Sequence, residues 1–318
     1  MNGSSGLSWR MIREAVTRIS GRVNQTPVLT SETLNRLAGA SLFFKCENFQ
    51  KTGAFKARGA TNAIFALSAE DANRGVVTHS SGNHAAAVAR AATLRGVPSH
   101  IIMPDNSVAA KVESVKRYGG KVIFCAPTQA AREGETARII AETGAVLVHA
   151  YDDLHVMAGQ ATTGTELLDE IEDLDIILCP VGGGGHLSGI SVAAKTIKPS
   201  IKIFGVEPAG ADDAARSFAK GEIIPSVNPQ TIADGLRSSL GARPFREIQR
   251  DTDGIVTVSE DAIVMAMRQI WEIMKIIVEP SAAVAYAAVL EKKLPVEGRK
   301  VGVVLTGGNL DLDKLPWT

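Results

Sequence analysis

Eight short, nearly unbroken apolar runs constrain the fold of this 318-residue chain more than any other feature of its sequence. Strands that are covered on both faces read as continuous apolar runs, whereas half-exposed strands alternate apolar and polar residues. Segments with helical spacing lie between the runs, and this alternation predicts parallel sheets joined by right-handed crossovers. The sequence therefore indicates an α/β protein. The predicted strands are residues 41–47, 75–79, 100–103, 121–125, 145–149, 176–181, 201–206 and 300–305. The predicted helices include residues 85–94, 108–118, 133–142, 187–197 and 263–274.

Composition narrows the class of protein. The 34 Lys and Arg residues are matched by 34 Asp and Glu residues, and aromatic residues make up 5%. Nucleic-acid binding uses excess positive charge and aromatic stacking, so it is not expected. No apolar run approaches the roughly 18 to 20 residues of a membrane span, and residues 1–9 lack the apolar core of a signal peptide. The three cysteines, Cys46, Cys125 and Cys179, are far apart, as in proteins with reduced thiols. We therefore expect a cytoplasmic enzyme of one large or two smaller domains, with no membrane partner.

Four consecutive glycines separate a predicted strand from a predicted helix. They are Gly182, Gly183, Gly184 and Gly185, called here the tetraglycine loop. Glycine lets backbone N–H groups turn toward an anion, and the start of a helix adds a favourable dipole. Neither G-x-G-x-x-G nor the P-loop pattern is present, which disfavours dinucleotide and nucleoside triphosphate binding. The loop predicts a site for one small phosphate or carboxylate, and a turn that binds nothing is the alternative.

A lysine between apolar and small residues is the candidate nucleophile. Lys56 follows Phe55 and precedes Ala57 in the segment of residues 51–60. A lysine that is desolvated has a lowered pKa and can act as an amine nucleophile. The pattern alone does not separate this role from that of an ordinary surface lysine.

Two further loops follow predicted strands and reach the same edge of a parallel sheet. Residues 78–84 combine small hydroxyls, a glycine and the Asn83 amide at a strand-to-helix turn. Such a turn forms a natural pocket for a carboxylate, and a simple helix cap is the alternative. The second loop, residues 305–309, has the sequence L-T-G-G-N.

Together these four motifs resemble those of the fold type II pyridoxal-phosphate enzymes, and within them the serine racemase and serine/threonine dehydratase branch. The resemblance extends from Thr26 to Leu312. It implies a tryptophan synthase β-like fold of two open, twisted, mostly parallel sheets, with pyridoxal phosphate in the cleft. It also implies a homodimer, and it leaves a nucleotide effector open near Lys51 and Thr52. The implied large domain comprises residues 1–75 and 147–318, and the small domain residues 76–146.

The resemblance assigns roles to particular residues. Lys56 would hold the cofactor covalently and later remove the substrate α-proton. Ser81 would face the substrate from the opposite side, as racemisation requires, and a helix cap is its alternative role. Thr306 would contact the ring nitrogen. Because a hydroxyl cannot stabilise a protonated ring as a carboxylate can, the cofactor would be a weaker electron sink, which favours prompt loss of a β-hydroxyl or reprotonation. The residues assigned to the cofactor are Lys56, Phe55, Asn83, Gly182, Gly183, Gly184, Gly185 and Thr306, and those assigned to the substrate are Ser80, Ser81, Asn83 and Arg132.

Residues 207–213 resemble a family loop that binds a divalent cation. The matching ligands are the carboxylates of Glu207 and Asp213 and the carbonyl of Ala211. Ligation by oxygen alone suits Mg²⁺, Ca²⁺ or Mn²⁺ better than zinc. The cation would be structural or activating, and acidic side chains that only face solvent are the alternative.

Two basic residues complete the set of candidates. Arg132 matches an arginine that contacts a second carboxylate in racemase-like relatives, so 3-hydroxyaspartate is a candidate substrate. An ordinary surface arginine is the alternative. His186 follows the tetraglycine loop, where relatives often carry an apolar residue, and it either contacts the cofactor phosphate or points outward.

We therefore expect a pyridoxal-phosphate-dependent ammonia-lyase. Its reaction would be the dehydration and deamination of serine, threonine or 3-hydroxyaspartate to a 2-oxo acid and ammonia. The alternative is a serine or aspartate racemase with elimination as a side activity. A nicotinamide-dependent oxidoreductase is disfavoured by the missing dinucleotide fingerprint, and a non-catalytic relative by the intact Lys56, Ser81 and Thr306. Because the chain ends at Thr318, a C-terminal regulatory domain is not expected.

Overall fold

The computed structural model describes residues 6–317, so the first five residues of the N-terminal segment 1–9 lie outside it. Within the described part, helices and strands alternate along most of the chain. The strands are β1 (Val28–Leu29), β2 (Ser41–Cys46), β3 (Val76–His79), β4 (Ser99–Pro104), β5 (Lys121–Cys125), β6 (Val146–Leu147), β7 (Ile176–Pro180), β8 (Lys202–Pro208), β9 (Gly254–Val258) and β10 (Lys300–Leu305). The α-helices are α1 (Trp9–Ile19), α2 (Glu32–Ala38), α3 (Lys56–Ala66), α4 (Ala69–Arg74), α5 (Asn83–Arg95), α6 (Ala109–Arg117), α7 (Gln129–Thr143), α8 (Leu154–Glu170), α9 (Gly185–Ile197), α10 (Asp213–Lys220), α11 (Ala242–Asp251), α12 (Glu260–Gln269) and α13 (Pro280–Leu290).

The strands form two sheets. One has six strands in the order β1-β2-β10-β7-β8-β9, and the other has four in the order β5-β4-β3-β6. All neighbouring strands are parallel except β1, which pairs antiparallel with β2. The predicted α/β fold with mostly parallel sheets is confirmed, and β1 is the exception to parallel pairing. The four-stranded sheet is built from strands between Val76 and Leu147, while the division into domains at residues 75 and 146 stays a prediction.

Both faces of the six-stranded sheet are covered by helices. Helix α13 is apolar on all sides, and nine of its residues, Ser281 to Val289, are buried. It packs with α12 on one face of the sheet, whereas α8 and α9 pack on the other. This burial on both sides explains why the central strands read as unbroken apolar runs. No helix within residues 6–317 has the length and apolar character needed to cross a membrane.

The parallel strands bring five loops to their carboxyl ends. In an open α/β sheet, this edge is where ligands bind. The connections that follow β3, β7 and β10 contain Ser80, the tetraglycine loop and Thr306 respectively. Those that follow β2 and β8 lead to Lys56 and Asp213, which are the first residues of α3 and α10.

Candidate active site

The tetraglycine loop has the geometry of an anion cradle. It lies between β7 and α9, and Gly184 adopts the left-handed conformation with φ of 84°. A Cβ atom on Gly183 would lie 2.3 Å from the Tyr151 ring, so even alanine would collide there. Within the described residues, the four glycine N–H groups donate to no backbone carbonyl. These free donors at the start of a helix can bind a phosphate group.

Lys56 is the first residue of α3 and lies in the same cleft. Its Nζ donates a hydrogen bond to the carbonyl oxygen of Ala150 at 2.8 Å, and it lies 5.0 Å from the centre of the Phe55 ring. Burial lowers the pKa of Lys56 to about 8, because the desolvated ammonium form is disfavoured. At pH 7 roughly a tenth of this amine is therefore unprotonated, and the share rises to about half near pH 8, so the amine can act as a nucleophile or base more readily than an ordinary lysine.

Phe55 and His186 form the wall beside this lysine. Their rings stack with centres 3.9 Å apart and planes inclined by 4°. His186 is only 5% exposed, and its Nε2 lies 3.0 Å from the hydroxyl of Thr163. Burial lowers the pKa of His186 well below its usual value, and the charges of Lys56 and Arg58 add to this effect. His186 is thus a neutral, buried residue, and the alternative that it points outward is wrong.

The loop from β3 to α5 holds two of the predicted substrate-binding residues, Ser80 and Ser81, and Asn83 follows it as the first residue of α5. Ser80 and Ser81 are both partly buried, and the Ser80 hydroxyl accepts a hydrogen bond from the N–H of Gly82. The N-cap of α5 is Gly82, and no side chain caps the helix. A helix-cap role for Ser81 is therefore wrong, and its hydroxyl stays free for another function.

The Thr306 loop contacts the Lys56 segment directly. Thr306 is buried, and its carbonyl accepts a hydrogen bond from the N–H of Phe55 at 3.0 Å. Ala54 and Gly307 form a β-bridge beside it. Two motifs that are about 250 residues apart in sequence are therefore held as neighbours.

Sequence reasoning missed Glu279, a carboxylate that is only 4% exposed. It accepts hydrogen bonds from the Asn83 amide at 2.9 Å and from the N–H of Asn309 at 3.2 Å. Burial raises the pKa of Glu279 to about 7, and the nearby charge of Asp234 adds to the shift. The only local signal was a glutamate before Pro280, which indicates the start of a helix and no more.

Sequence reasoning also missed the segment between β6 and α8. His149 Nδ1 accepts hydrogen bonds from the N–H groups of Asp152 and Tyr151, and the rings of His149 and Tyr151 meet edge to face with centres 4.7 Å apart. Ala150 supplies the carbonyl that contacts Lys56. This segment therefore lies between the lysine and the tetraglycine loop, although it carries no recognisable motif.

Arg132 lies near the start of α7 and is partly buried. Its Nε is buried without a hydrogen-bond partner, and it forms no ion pair among residues 6–317. Burial lowers the pKa of His79, and the charge of Arg132 lowers it further. The same charge opposes the burial-driven rise in the pKa of Tyr151. The charge of Arg132 therefore acts on His79 and on Tyr151, which lies against the tetraglycine loop, and its buried Nε has no hydrogen-bond partner within residues 6–317.

The predicted cation ligands are close together at the end of β8. Both Glu207 oxygens accept backbone N–H groups at the start of α10, from Ala215 at 2.8 Å and Ala214 at 3.2 Å. Asp213 is 1% exposed, and its Oδ2 has no hydrogen-bond partner. Burial raises the pKa of Glu207 to about 8 and that of Asp213 to about 6. No cluster of three or more metal-binding side chains occurs within residues 6–317, so any cation here would need the Ala211 carbonyl and water as further ligands.

A buried lysine with a lowered pKa, beside a loop of free N–H donors, defines an enzyme that binds a phosphorylated carbonyl cofactor. The residues present fit this group, since the amine can bond to a carbonyl and the loop can hold its phosphate. Residues 19–307 match the family model for the pyridoxal-phosphate dependent enzymes, and the chain belongs to this family.

Relatives agree with this assignment over nearly the whole chain. A serine racemase of Arabidopsis thaliana is 49% identical, with 96% of this chain and 93% of the relative covered. A beta-hydroxyaspartate dehydratase of Paracoccus denitrificans is 47% identical, with 94% and 95% covered. The structure of maize serine racemase superposes with a TM-score of 0.95 at 48% identity, with 97% of this chain and 95% of that chain covered.

Proposed function

We propose that this enzyme dehydrates and deaminates a β-hydroxy amino acid that carries a second carboxylate, such as 3-hydroxyaspartate, to a 2-oxo acid and ammonia. The observation that carries this choice is the partly buried Arg132 near the cleft, whose Nε has no partner. A guanidinium can bind a carboxylate with two parallel hydrogen bonds. The relative named beta-hydroxyaspartate dehydratase supports the choice. Serine and threonine are the smaller substrates of the same reaction.

The proposed roles follow from the positions of the residues. Bound pyridoxal phosphate supplies an electron sink for the negative charge that develops at the substrate α-carbon. The tetraglycine loop, Phe55, Asn83 and Thr306 hold the cofactor, and Ser80 with Asn83 binds the substrate α-carboxylate. The Lys56 amine takes the α-proton, and its pKa of about 8 suits a base that works near neutral pH.

Racemisation of serine or aspartate is the second candidate function. Ser81 has a hydroxyl that caps no helix, and the 49% identical relative is named serine racemase. Racemisation needs one group that removes the α-proton and another that returns it from the opposite face. Lys56 and Ser81 would share these roles.

We further propose that Glu207, Asp213 and the Ala211 carbonyl bind Mg²⁺, Ca²⁺ or Mn²⁺. The support is a pair of buried carboxylates with an unpartnered oxygen on Asp213, because a cation would compensate both charges. The homodimer and the nucleotide effector rest on the family resemblance, whereas the cytoplasmic location rests on the composition and the three cysteines; all three stay predictions.

Changing Arg132 to alanine tests the substrate. We expect kcat/KM for 3-hydroxyaspartate to fall by about 10- to 100-fold, since a charged hydrogen bond contributes about 1.5–3 kcal/mol. The value for L-serine should change little, because serine has no second carboxylate. Arg138→Ala is the matched control, since Arg138 lies on the same helix but pairs with Glu135 and Glu142 on the surface. Equal losses for both substrates in Arg132→Ala would contradict the proposed contact.

Changing Ser81 to alanine tests the second function. If Ser81 returns the proton, racemisation of L-serine should fall by at least about 100-fold, while elimination falls much less. The enantiomers and the 2-oxo acid are measured in the same reaction tubes, so each reaction is the internal control for the other. Parallel losses would reduce Ser81 to a binding role.

A further inference from the structure

Three residues, Asn83, Glu279 and Asn309, form a closed ring of hydrogen bonds at the edge of the candidate active site. The Asn83 Nδ2 donates to both oxygens of Glu279, at 2.9 and 3.2 Å. The Asn309 Nδ2 donates to the Asn83 Oδ1 at 2.9 Å, and the Asn309 backbone N–H donates to Glu279 at 3.2 Å. When Glu279 is ionised, every bond in this ring has a defined direction, because the carboxylate then accepts and does not donate.

Two glycines lie next to the ring, at positions where any larger residue would collide with it. A Cβ atom on Gly307 would lie 2.7 Å from Glu279 Oε1, and one on Gly53 would lie 2.5 Å from Asn309 Oδ1. The Asn309 Nδ2 also donates to the carbonyl of Thr52 at 2.7 Å. Thr52 has a φ of 61°, which is strained for a residue with a branched side chain. The ring therefore braces the turn that precedes Lys56.

The direction of these bonds determines how the Asn83 amide is oriented. If the amide were flipped, its oxygen would face the Glu279 carboxylate and its NH₂ would face the Asn309 NH₂, so both contacts would become repulsive. In the observed orientation, the two Glu279 oxygens belong to one carboxylate, so a single N–H of the Asn83 NH₂ group can serve both of them. Asn309 donates to the Asn83 oxygen and needs no N–H from Asn83, which leaves the second N–H of the Asn83 amide available. An amide that is fixed in this way can donate that N–H to an acceptor in the cleft.

We propose that Glu279 is a positioning residue, which orients the Asn83 amide so that one N–H faces the ring oxygen of bound pyridoxal phosphate. This inference rests on the proposed role of Asn83 at the cofactor. Glu279 itself does not need to touch the cofactor or the substrate. The charged groups that influence its carboxylate are Asp234 and Lys111, whose effects oppose each other and which form an ion pair.

The test uses two variants that separate orientation from stability. Glu279→Gln keeps the size of the side chain but places an NH₂ where a carboxylate oxygen accepted, so the ring can no longer satisfy all its bonds. The double variant Glu279→Gln/Asn83→Asp restores the ring, because the glutamine NH₂ and the Asn309 NH₂ can both donate to the new carboxylate. The double variant, however, has no N–H at position 83 to offer the cofactor.

We measure the Kd of the cofactor-free protein for pyridoxal phosphate, the absorption maximum of the bound cofactor, and the unfolding temperature of the cofactor-free protein. In Glu279→Gln we expect the Kd to rise about tenfold or more, because about one hydrogen bond to a charged acceptor is lost. We also expect the absorption maximum of the bound cofactor to shift. In the double variant we expect an unfolding temperature that equals that of the wild type or at least exceeds that of Glu279→Gln. We expect its Kd for pyridoxal phosphate to stay as high as in Glu279→Gln. A double variant that regains wild-type Kd would show a purely structural role and overturn the proposal.

Glu279→Asp keeps the test decisive if Glu279→Gln does not fold. A shorter carboxylate still accepts from Asn83, so its Kd should lie closer to that of the wild type, with the wild-type absorption maximum. A Glu279→Asp protein with a shifted maximum, or a Glu279→Gln protein with wild-type Kd and maximum, would overturn the proposal. Cofactor binding is independent of which amino acid reacts. A wild-type enzyme that fails to eliminate any hydroxy amino acid would therefore contradict the proposed function and leave this test intact.

Discussion

Lys56 shows how a single position acquires its chemistry from burial. An exposed lysine titrates near 10.4, but desolvation in the cleft lowers the pKa of Lys56 to about 8. The cost of a buried ammonium is limited by the hydrogen bond to the Ala150 carbonyl at 2.8 Å. The amine therefore changes from mostly protonated to mostly neutral as the pH rises through about 8.

This shift predicts the reactivity of the cofactor-free protein. Lys56 should be labelled by reductive methylation with a midpoint near pH 8, because only the neutral amine reacts and its fraction grows as pH rises through that pKa. Peptide mass spectrometry measures the labelling of every lysine in one sample. Exposed lysines serve as the control, and Lys56→Ala identifies the peptide. A midpoint above pH 10 for Lys56 would contradict a desolvated amine.

Individual site residues differed in how far the sequence revealed them. The tetraglycine loop is a contiguous motif whose composition has a direct chemical reason, a flexible row of N–H donors. Lys56 was indicated by the family resemblance, because its local pattern alone does not distinguish a nucleophile from a surface lysine. Glu279 and His149 have no such surroundings in the sequence. Their importance arises from contacts with residues distant in the chain, such as the bond of Glu279 to Asn83, and propensities and spacing carry no information about such contacts.

At the scale of elements, the sequence predicted buried strands more accurately than a half-buried strand at the edge of a sheet. The strands β5 and β10 have the bounds that the sequence predicted. Strand β9 was missed because it lies at the edge of its sheet and is mostly half-buried, so it gives no unbroken apolar run. The helix predicted for residues 263–274 ends as α12 at Gln269 and continues as one π-helical turn, Ile270–Met274. Helical periodicity does not distinguish the two, since both keep apolar residues on one side.

At the scale of the whole molecule, the parallel topology explains how the site is assembled. Strands β2 and β10 are neighbours in the sheet although about 250 residues separate them, so the loops that follow them meet and place Phe55 against Thr306. Strand β7 pairs with β10 on its other side, which adds the tetraglycine loop. The sequence indicated parallel strands, but their order could not be derived from apolar runs, because such runs do not specify their neighbours.

The pair of buried carboxylates at the end of β8 affects the stability of the whole protein. Glu207 and Asp213 are both desolvated, and each raises the free energy of the folded state when ionised. A bound cation would offset this cost and bind the folded state only, so it should raise the unfolding temperature in proportion to the logarithm of its concentration. A chelator should lower the unfolding temperature of protein purified with its cation, and Ca²⁺, Mg²⁺ or Mn²⁺ should restore it.

Two substitutions show whether this response belongs to the proposed ligands. Asp213→Asn should abolish the response to both chelator and cation, because it removes one of two charged ligands. It should also leave the cation-free protein at least as stable as the wild type, since one buried charge is lost. Asp212→Asn is the matched control, as Asp212 is the neighbouring residue, is partly exposed and pairs with Arg216. Calorimetry in chelator and in each cation measures all three proteins, and a cation response that survives in Asp213→Asn would place the cation elsewhere.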